Sequence, residues 1–188
     1  IASGQGTATA TIDDIDQSLT FAVTVDDEGA ETVGQSVRIN EEGTADDVAT
    51  FTVALSAPLN VGNSASVVLT FPGSATDGTD YSPALDTAIA NAITALAAGH
   101  GVSYDGTTNT LTFTGGASAV SSLSFTVDAT DDNTLDDDET VTVTLNTPTI
   151  DQGNVAIASG QGTATATIDD IDQSISFSIA ADVDTISE

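Results

Sequence analysis

Six aspartates and one glutamate stand within twelve residues of this chain: Asp128, Asp131, Asp132, Asp136, Asp137, Asp138 and Glu139. The segment holds no lysine or arginine to balance them. Carboxylates at that spacing repel unless something cationic lies among them. A hard divalent ion with oxygen ligands, calcium first, is the simplest resolution. A solvated acidic loop is the plain alternative. Other acids recur at wide intervals: Glu41 and Glu42, Asp77 and Asp80, then Asp169, Asp170 and Asp172. If the fold gathers these beside Asp131, Asp132 and Asp136, the ion gains over the solvated loop.

The elements that must position them read from hydrophobic period. Downstream of the acids, Val141, Val143 and Leu145 alternate with threonines as a half-buried strand. Upstream, Leu123 to Val127 does the same, so the acids occupy a loop at one end of a sheet. Further strands are predicted at Leu19 to Val25, Ser36 to Ile39, Val48 to Leu55 and Ala65 to Phe71. Two more fall at Gly101 to Tyr104 and Thr110 to Thr114, joined through a turn at Asp105-Gly106. A long last strand, Asn154 to Ile168, carries Gly160 and Gly162, which suggest a bulge or bend. Pro72 to Tyr81 is rich in turn residues. One stretch changes period: Leu85, Ile89, Ile93 and Leu96, interleaved with alanines, predict a helix over Pro83 to Ala98. Asp86 suits its positive end, and Gly99 is a natural stop. The helix reads as a lid over one end or edge. Seven to nine strands with turns between them predict an all-β, immunoglobulin-like antiparallel β-sandwich with one inserted α-helix. In a sandwich alternate loops share a pole, so the separated acids can meet.

Composition narrows the function. The 188 residues include 29 acids against one arginine, Arg38, and no lysine, for a net charge of −28. No basic patch can be assembled, which argues against nucleic acid and against anionic membrane surfaces. No apolar run approaches the roughly 18 residues of a membrane span. Cysteine is absent, so no disulfide can form. Regular alternation of the 39% hydrophobic residues favours a folded chain over a disordered one. Enzyme chemistry finds little support. His100 is the sole histidine and makes no zinc site alone. No Gly-x-Ser-x-Gly elbow exists. Glycosidase carboxylates need aromatic sugar platforms, and the chain has two tyrosines and no tryptophan. Thr7 to Thr11 reads as an ordinary strand in preference to a water-ordering face.

A repeat frames the whole. Ile1 to Ser18 recurs identically as Ile157 to Ser174, an offset of 156 residues (157 − 1), and Leu19 to Val23 resembles Ile175 to Ile179. A period of that size is a domain in a tandem array. Residues 1–16 are expected to be the last strand of a preceding repeat. Residues 17–172 form one complete sandwich, and 173–188 open the following repeat. The start at Ile1 and the lack of a signal peptide suggest a fragment, with any secretion signal elsewhere.

Four stretches, in order, resemble the successive motifs of Calx-β domains. They are Asn40-Glu-Glu-Gly43, Ala75 to Ser82 with Asp-Gly-Thr-Asp-Tyr, Val127 to Val141, and Ala164-Thr-Ala-Thr-Ile-Asp-Asp170. That family comprises immunoglobulin-like sandwiches known from sodium–calcium exchangers and integrin β4, and from giant secreted bacterial adhesins and matrix proteins of the repeats-in-toxin type. The resemblance implies Ca2+ ligands at Glu41, Asp80, Asp131, Asp132, Asp136, Asp169 and Asp170. Asp172 would stand in for a third consecutive acid where Ile171 lies, or point into the next domain. Ala129-Thr130 lengthens the acidic loop, and the helix is an insertion relative to compact members. The implied function is a calcium-binding structural repeat that extends and stiffens an extracellular or cell-surface filament. Its partners would be neighbouring repeats of the same chain. Two rivals stand beside it: a ligand-binding adhesion module using the helix insert, and a donor-strand fibre in which Ile1 to Ile12 completes another copy's sandwich.

Overall fold

The computed structural model describes residues 16–27, 33–41, 46–131, 135, 137–170 and 177–179. They fold as two β-sheets packed face to face with one helix at the side. The strands are β1 (Gln17–Asp27), β2 (Ser36–Asn40), β3 (Val48–Leu55), β4 (Ser64–Thr70), β5 (Tyr81–Ser82), β6 (Val102–Asp105), β7 (Thr110–Thr114), β8 (Ser122–Ala129), β9 (Glu139–Ile150), β10 (Gly153–Ile157) and β11 (Thr163–Asp169), with α1 at Leu85–Ala95. One sheet runs β10-β1-β3-β8-β5 and the other β2-β11-β9-β4-β7-β6.

Alternation builds the core as expected. Phe21, Val23 and Val25 of β1, Phe51 and Val53 of β3, and Leu123, Phe125 and Val127 of β8 point inward. They meet Ile39, Leu69, Leu111, Phe113, Val143 and Ile168 from the opposite sheet. Each such side chain, fully buried, contributes roughly 1.5–3 kcal/mol. Phe51 stacks on its cross-strand partner Phe125, with ring centroids 5.8 Å apart. The outward positions are hydroxyls that bond across strands: Thr52 with Ser124, Thr142 with Thr165 and Thr144 with Thr163.

The structure departs from the sequence expectations in four places. The expected single last strand is two strands in different sheets. β10 pairs with β1, the chain turns through Ala158 to Gly162, and β11 joins β2 and β9. Gly160 takes φ +74° in that turn, and the Ala158 N–H donates to the Phe21 carbonyl at 2.8 Å. So Gly160 is where the bend falls, and it changes sheets. The sandwich is also not wholly antiparallel, because the β1–β10 and β2–β11 pairs are parallel. Within the turn-rich stretch a short strand, β5, pairs with β8. Finally, the helix stops earlier than Gly99: Leu96 is already extended, with its N–H on the Ile93 carbonyl. Helix α1 lies along β8 and reaches β6, closing one open side of the sandwich. The Tyr104 hydroxyl of β6 donates to the Asp86 carboxylate of α1 and fastens that closure.

Candidate metal centre at the acidic pole

Strand register shows which acids share an end of the molecule. In one sheet Asn40, the last residue of β2, lies opposite Asp169 at the end of β11. Ile168 lies opposite Glu139, the first residue of β9. In the other sheet Val48 of β3 faces Asp128 of β8, and Ala129 faces Tyr81 of β5. Backbone hydrogen bonds tie the two ends together. The Asn40 N–H donates to Asp46 at 2.8 Å, Ala129 to Asp47 at 2.7 Å, and Thr130 to Asp80 at 3.0 Å. Glu41, Asp80, Asp131, Asp169 and Asp170 therefore stand at one pole. Asp132, Asp136 and Asp172 lie outside the described residues.

These acids do not share one environment. Glu41 is 92% buried, and its Oε1 is shut off from solvent. A buried carboxylate needs hydrogen-bond donors or a cation beside it. Asp80 has a local structural role already: its Oδ2 accepts the Thr76 N–H at 2.5 Å and holds the turn before Tyr81. Burial, then the charges of Asp77, Asp86 and Asp80, push the Tyr81 hydroxyl above its usual range. Asp131 is exposed, while Asp169 and Asp170 are partly buried.

One residue that sequence reasoning left unassigned sits among them. Arg38 projects outward from β2, and its Nε donates to Asp169 Oδ2 at 2.9 Å. Its Nη2 lies 2.5 Å from Asp169 Oδ1 and donates to Asp138 Oδ2 at 2.6 Å. The acidic segment thus has a cationic partner after all, brought in from elsewhere in the chain. The hydrogen bond to Asp169, then that to Asp138, raise the guanidinium above its ordinary pKa. Period-two alternation placed Arg38 on the outer face with Asn40. What it could not give was the parallel β2–β11 pairing that sets Arg38 beside Thr167 and within reach of Asp169.

Among the described residues, no three carboxylate or imidazole side chains are grouped closely enough to hold an ion as they stand. The donor set nevertheless fits a hard cation in kind: carboxylate oxygens, one of them buried, with no sulfur and no histidine. His100 is a loop residue whose Nδ1 accepts the Val102 N–H at 2.9 Å.

The family model of the Calx-beta domain matches residues 26–87 and 93–172. The chain belongs to the Calx-beta family. The match breaks between 87 and 93, inside α1, where this Calx-beta domain carries its helix. Among solved structures, the apo-form Calx CBD1 domain is 17% identical over 81% of this chain and 98% of that one, with a TM-score of 0.44. CBD12 of CALX1.2 is 18% identical over 81% of this chain and 44% of that chain, at TM-score 0.41. A two-domain protein of unknown function from Bacteroides fragilis is 12% identical over 79% and 45%, at TM-score 0.35. The domain thus spans less than half the length of the last two. No curated protein matches the sequence.

Proposed function

We propose that this Calx-beta domain is a calcium-stabilised structural repeat, one bead of a long extracellular bacterial adhesin or matrix filament. The observation that carries the reading is the gathering of acidic strand ends from both sheets at one pole of a family fold. Glu41, Asp80, Asp131, Asp132, Asp136, Asp169, Asp170 and Asp172 would hold the ion. The chemistry it supplies is charge neutralisation, because a chain at −28 repels itself when compact.

The tandem reading is supported by two side chains at the far end of the chain. Phe177 and Ile179 are 95% and 100% exposed. At the 156-residue offset they match Phe21 and Val23, which are fully buried in β1. A segment with the sequence of a core strand belongs in a sandwich, either that of a following repeat or, by strand exchange, that of another copy. Size measured at several protein concentrations distinguishes a monomeric bead from an exchanged fibre. No helix among the described residues is long and apolar enough to cross a membrane.

The calcium reading is tested by calorimetric titration together with thermal melts. Extracellular calcium modules bind at about 10⁻⁴ to 10⁻³ M, and a ligand at 100 times its dissociation constant adds about 2.7 kcal/mol per site. Melts in chelator and in calcium well above that range should differ by several degrees. Superimposable melts, with no heat of binding, would end this reading.

A further inference from the structure

Helix α1 interrupts the family match, so what it builds against the sandwich belongs to the insertion and not to the family frame. It lies along β8 and leaves a groove of about 270 Å³ between them. Ala88, Asn91, Ala92 and Ala95 form one wall, and the chain from Ser124 to Thr126 forms the other. That second wall is a sheet edge. The Leu55 N–H donates to the Ser121 carbonyl at 2.8 Å, and the Ala129 N–H to Asp47 at 2.7 Å. By the alternation of an antiparallel ladder, Leu123, Phe125 and Val127 then exchange hydrogen bonds with β3. Ser122, Ser124, Thr126 and Asp128 turn their N–H and C=O groups the other way. β5 meets only Asp128 and Ala129 before the chain passes through Pro83 into α1. Among the described residues, no strand pairs with Ser122, Ser124 or Thr126 on that side. We propose that the groove is a strand-addition site, which takes an extended peptide of a partner protein with alternating apolar and basic residues.

Each feature of that occupant answers something in the groove. Ser124 and Thr126 present donors and acceptors in alternation, two residues or about 7 Å apart. An extended backbone matches that order, and pairing at an open sheet edge is a recurrent mode of peptide recognition. The helix faces the edge with alanines where leucines would close it. One row of peptide side chains, apolar and of modest size, can therefore settle against Ala88, Ala92 and Ala95. The other row points outward with Ser124 and Thr126, on the face where Asp128 stands exposed. Basic residues suit that row, because the chain carries −28 and its one cation, Arg38, lies in the other sheet. A second copy of this chain has no lysine to offer there, so charge disfavours edge-to-edge pairing with itself. None of the acids named as calcium ligands lines the groove, so the two sites stand or fall separately.

The probe is an end-blocked hexapeptide alternating valine and lysine, titrated into isotope-labelled protein and followed by amide NMR. A valine–glutamate peptide, and a valine–lysine peptide broken by a central proline, serve as controls. The valine–lysine peptide should shift the Ser124, Thr126 and Asn91 amide signals, and neither control should. Ala92→Leu fills the groove and should weaken binding about tenfold. Ala95→Leu, at an exposed position, repeats that test with little risk to folding. Thr126→Pro removes an edge N–H, a change that edge positions tolerate, and should abolish binding. Asp128→Asn should weaken it about threefold at low salt and hardly at all at high salt. Undiminished binding by both leucine variants would place the peptide elsewhere and overturn the site, whether or not Thr126→Pro folds. Shifts spread over the acidic pole, or equal binding of the proline-broken peptide, would mean charge attraction without strand addition. Equal binding of the glutamate peptide would overturn the basic preference. Broadening at β8 that grows with protein concentration, in the absence of peptide, would assign the edge to a second copy and end the partner reading.

Discussion

Asp105 shows what an aspartate looks like when local structure accounts for it. One oxygen accepts the Thr107 N–H at 2.9 Å and the other accepts the Thr108 hydroxyl at 2.9 Å, closing the β6–β7 turn. Those bonds, the Thr107 N–H first, hold its carboxyl below the usual range. A depressed folded pKa gives stability that is present above the unfolded value near 3.9 and is lost as pH falls through the folded one. Asp105→Asn should therefore weaken the acid-side dependence of the urea midpoint and leave the response to calcium intact. Replacing Asp131 and Asp132 together by Asn should do the reverse and remove most of the calcium-dependent rise in melting temperature. If both changes reduce the calcium effect equally, the stabilisation is generic screening and not a built site. The difference between these aspartates was only half legible in the sequence. The Asp-Gly turn and the acid clusters could be read from residue types. The bond from Thr76 to Asp80, and the reach of Arg38 to Asp169, depend on side-chain placement that no spacing rule gives.

Strand positions were readable because period two is a local property, and between Leu19 and Leu145 every predicted strand corresponds to an observed one. Pairing was not readable, because β1 with β10 and β2 with β11 join residues more than a hundred positions apart. The close approach at Gly153 depends on that pairing. Its φ is +105°, and a Cβ there would lie 2.0 Å from the Gln17 carbonyl oxygen. Gly153→Ala should cost about 1–3 kcal/mol and shift the denaturant midpoint accordingly. A shift within about 0.5 kcal/mol would show that β10 tolerates displacement from β1. The helix closure makes a different prediction. Burial, and then the bond to Asp86, raise the Tyr104 hydroxyl far above its normal pKa. The chain has no lysine or cysteine and only two tyrosines. Stability should therefore be nearly flat from about pH 8 to 10 and fall above it, as the unfolded chain gives up tyrosine protons that the folded chain retains. Tyr104→Phe should flatten much of that fall in urea midpoints taken from pH 8 to 11.5. An unaltered alkaline slope would mean that the Tyr104–Asp86 bond does not couple to folding.

Across the whole molecule the described strands carry hydroxyls on their outer faces while carboxylates crowd one pole, so charge acts along the axis of the bead and hardly across it. β1 starts beside Gly153 and Pro58 at one end and finishes opposite Ala49 at the acidic end. β11 also finishes at the acidic end, at Asp169. On the proposed tandem reading, the counterpart of Gln17, where β1 begins, is Gln173 at the 156-residue offset. Only Asp170, Ile171 and Asp172 lie between, and four residue steps reach at most roughly 14 Å. No Gly/Ser-rich or Pro-rich linker intervenes. On the proposed tandem reading, the acidic pole of one bead would face the opposite pole of the next at close range. An ion held by acids that include Asp169, Asp170 and Asp172 would fix the angle between beads as well as stabilise one of them. Without it, the crowded charge leaves that angle free. A two-repeat protein should therefore give a longer and narrower distribution of end-to-end distances by small-angle scattering in millimolar calcium than in chelator. If the two distributions coincide while each domain stays folded, the ion serves the sandwich alone, and stiffness must come from direct contact between the beads.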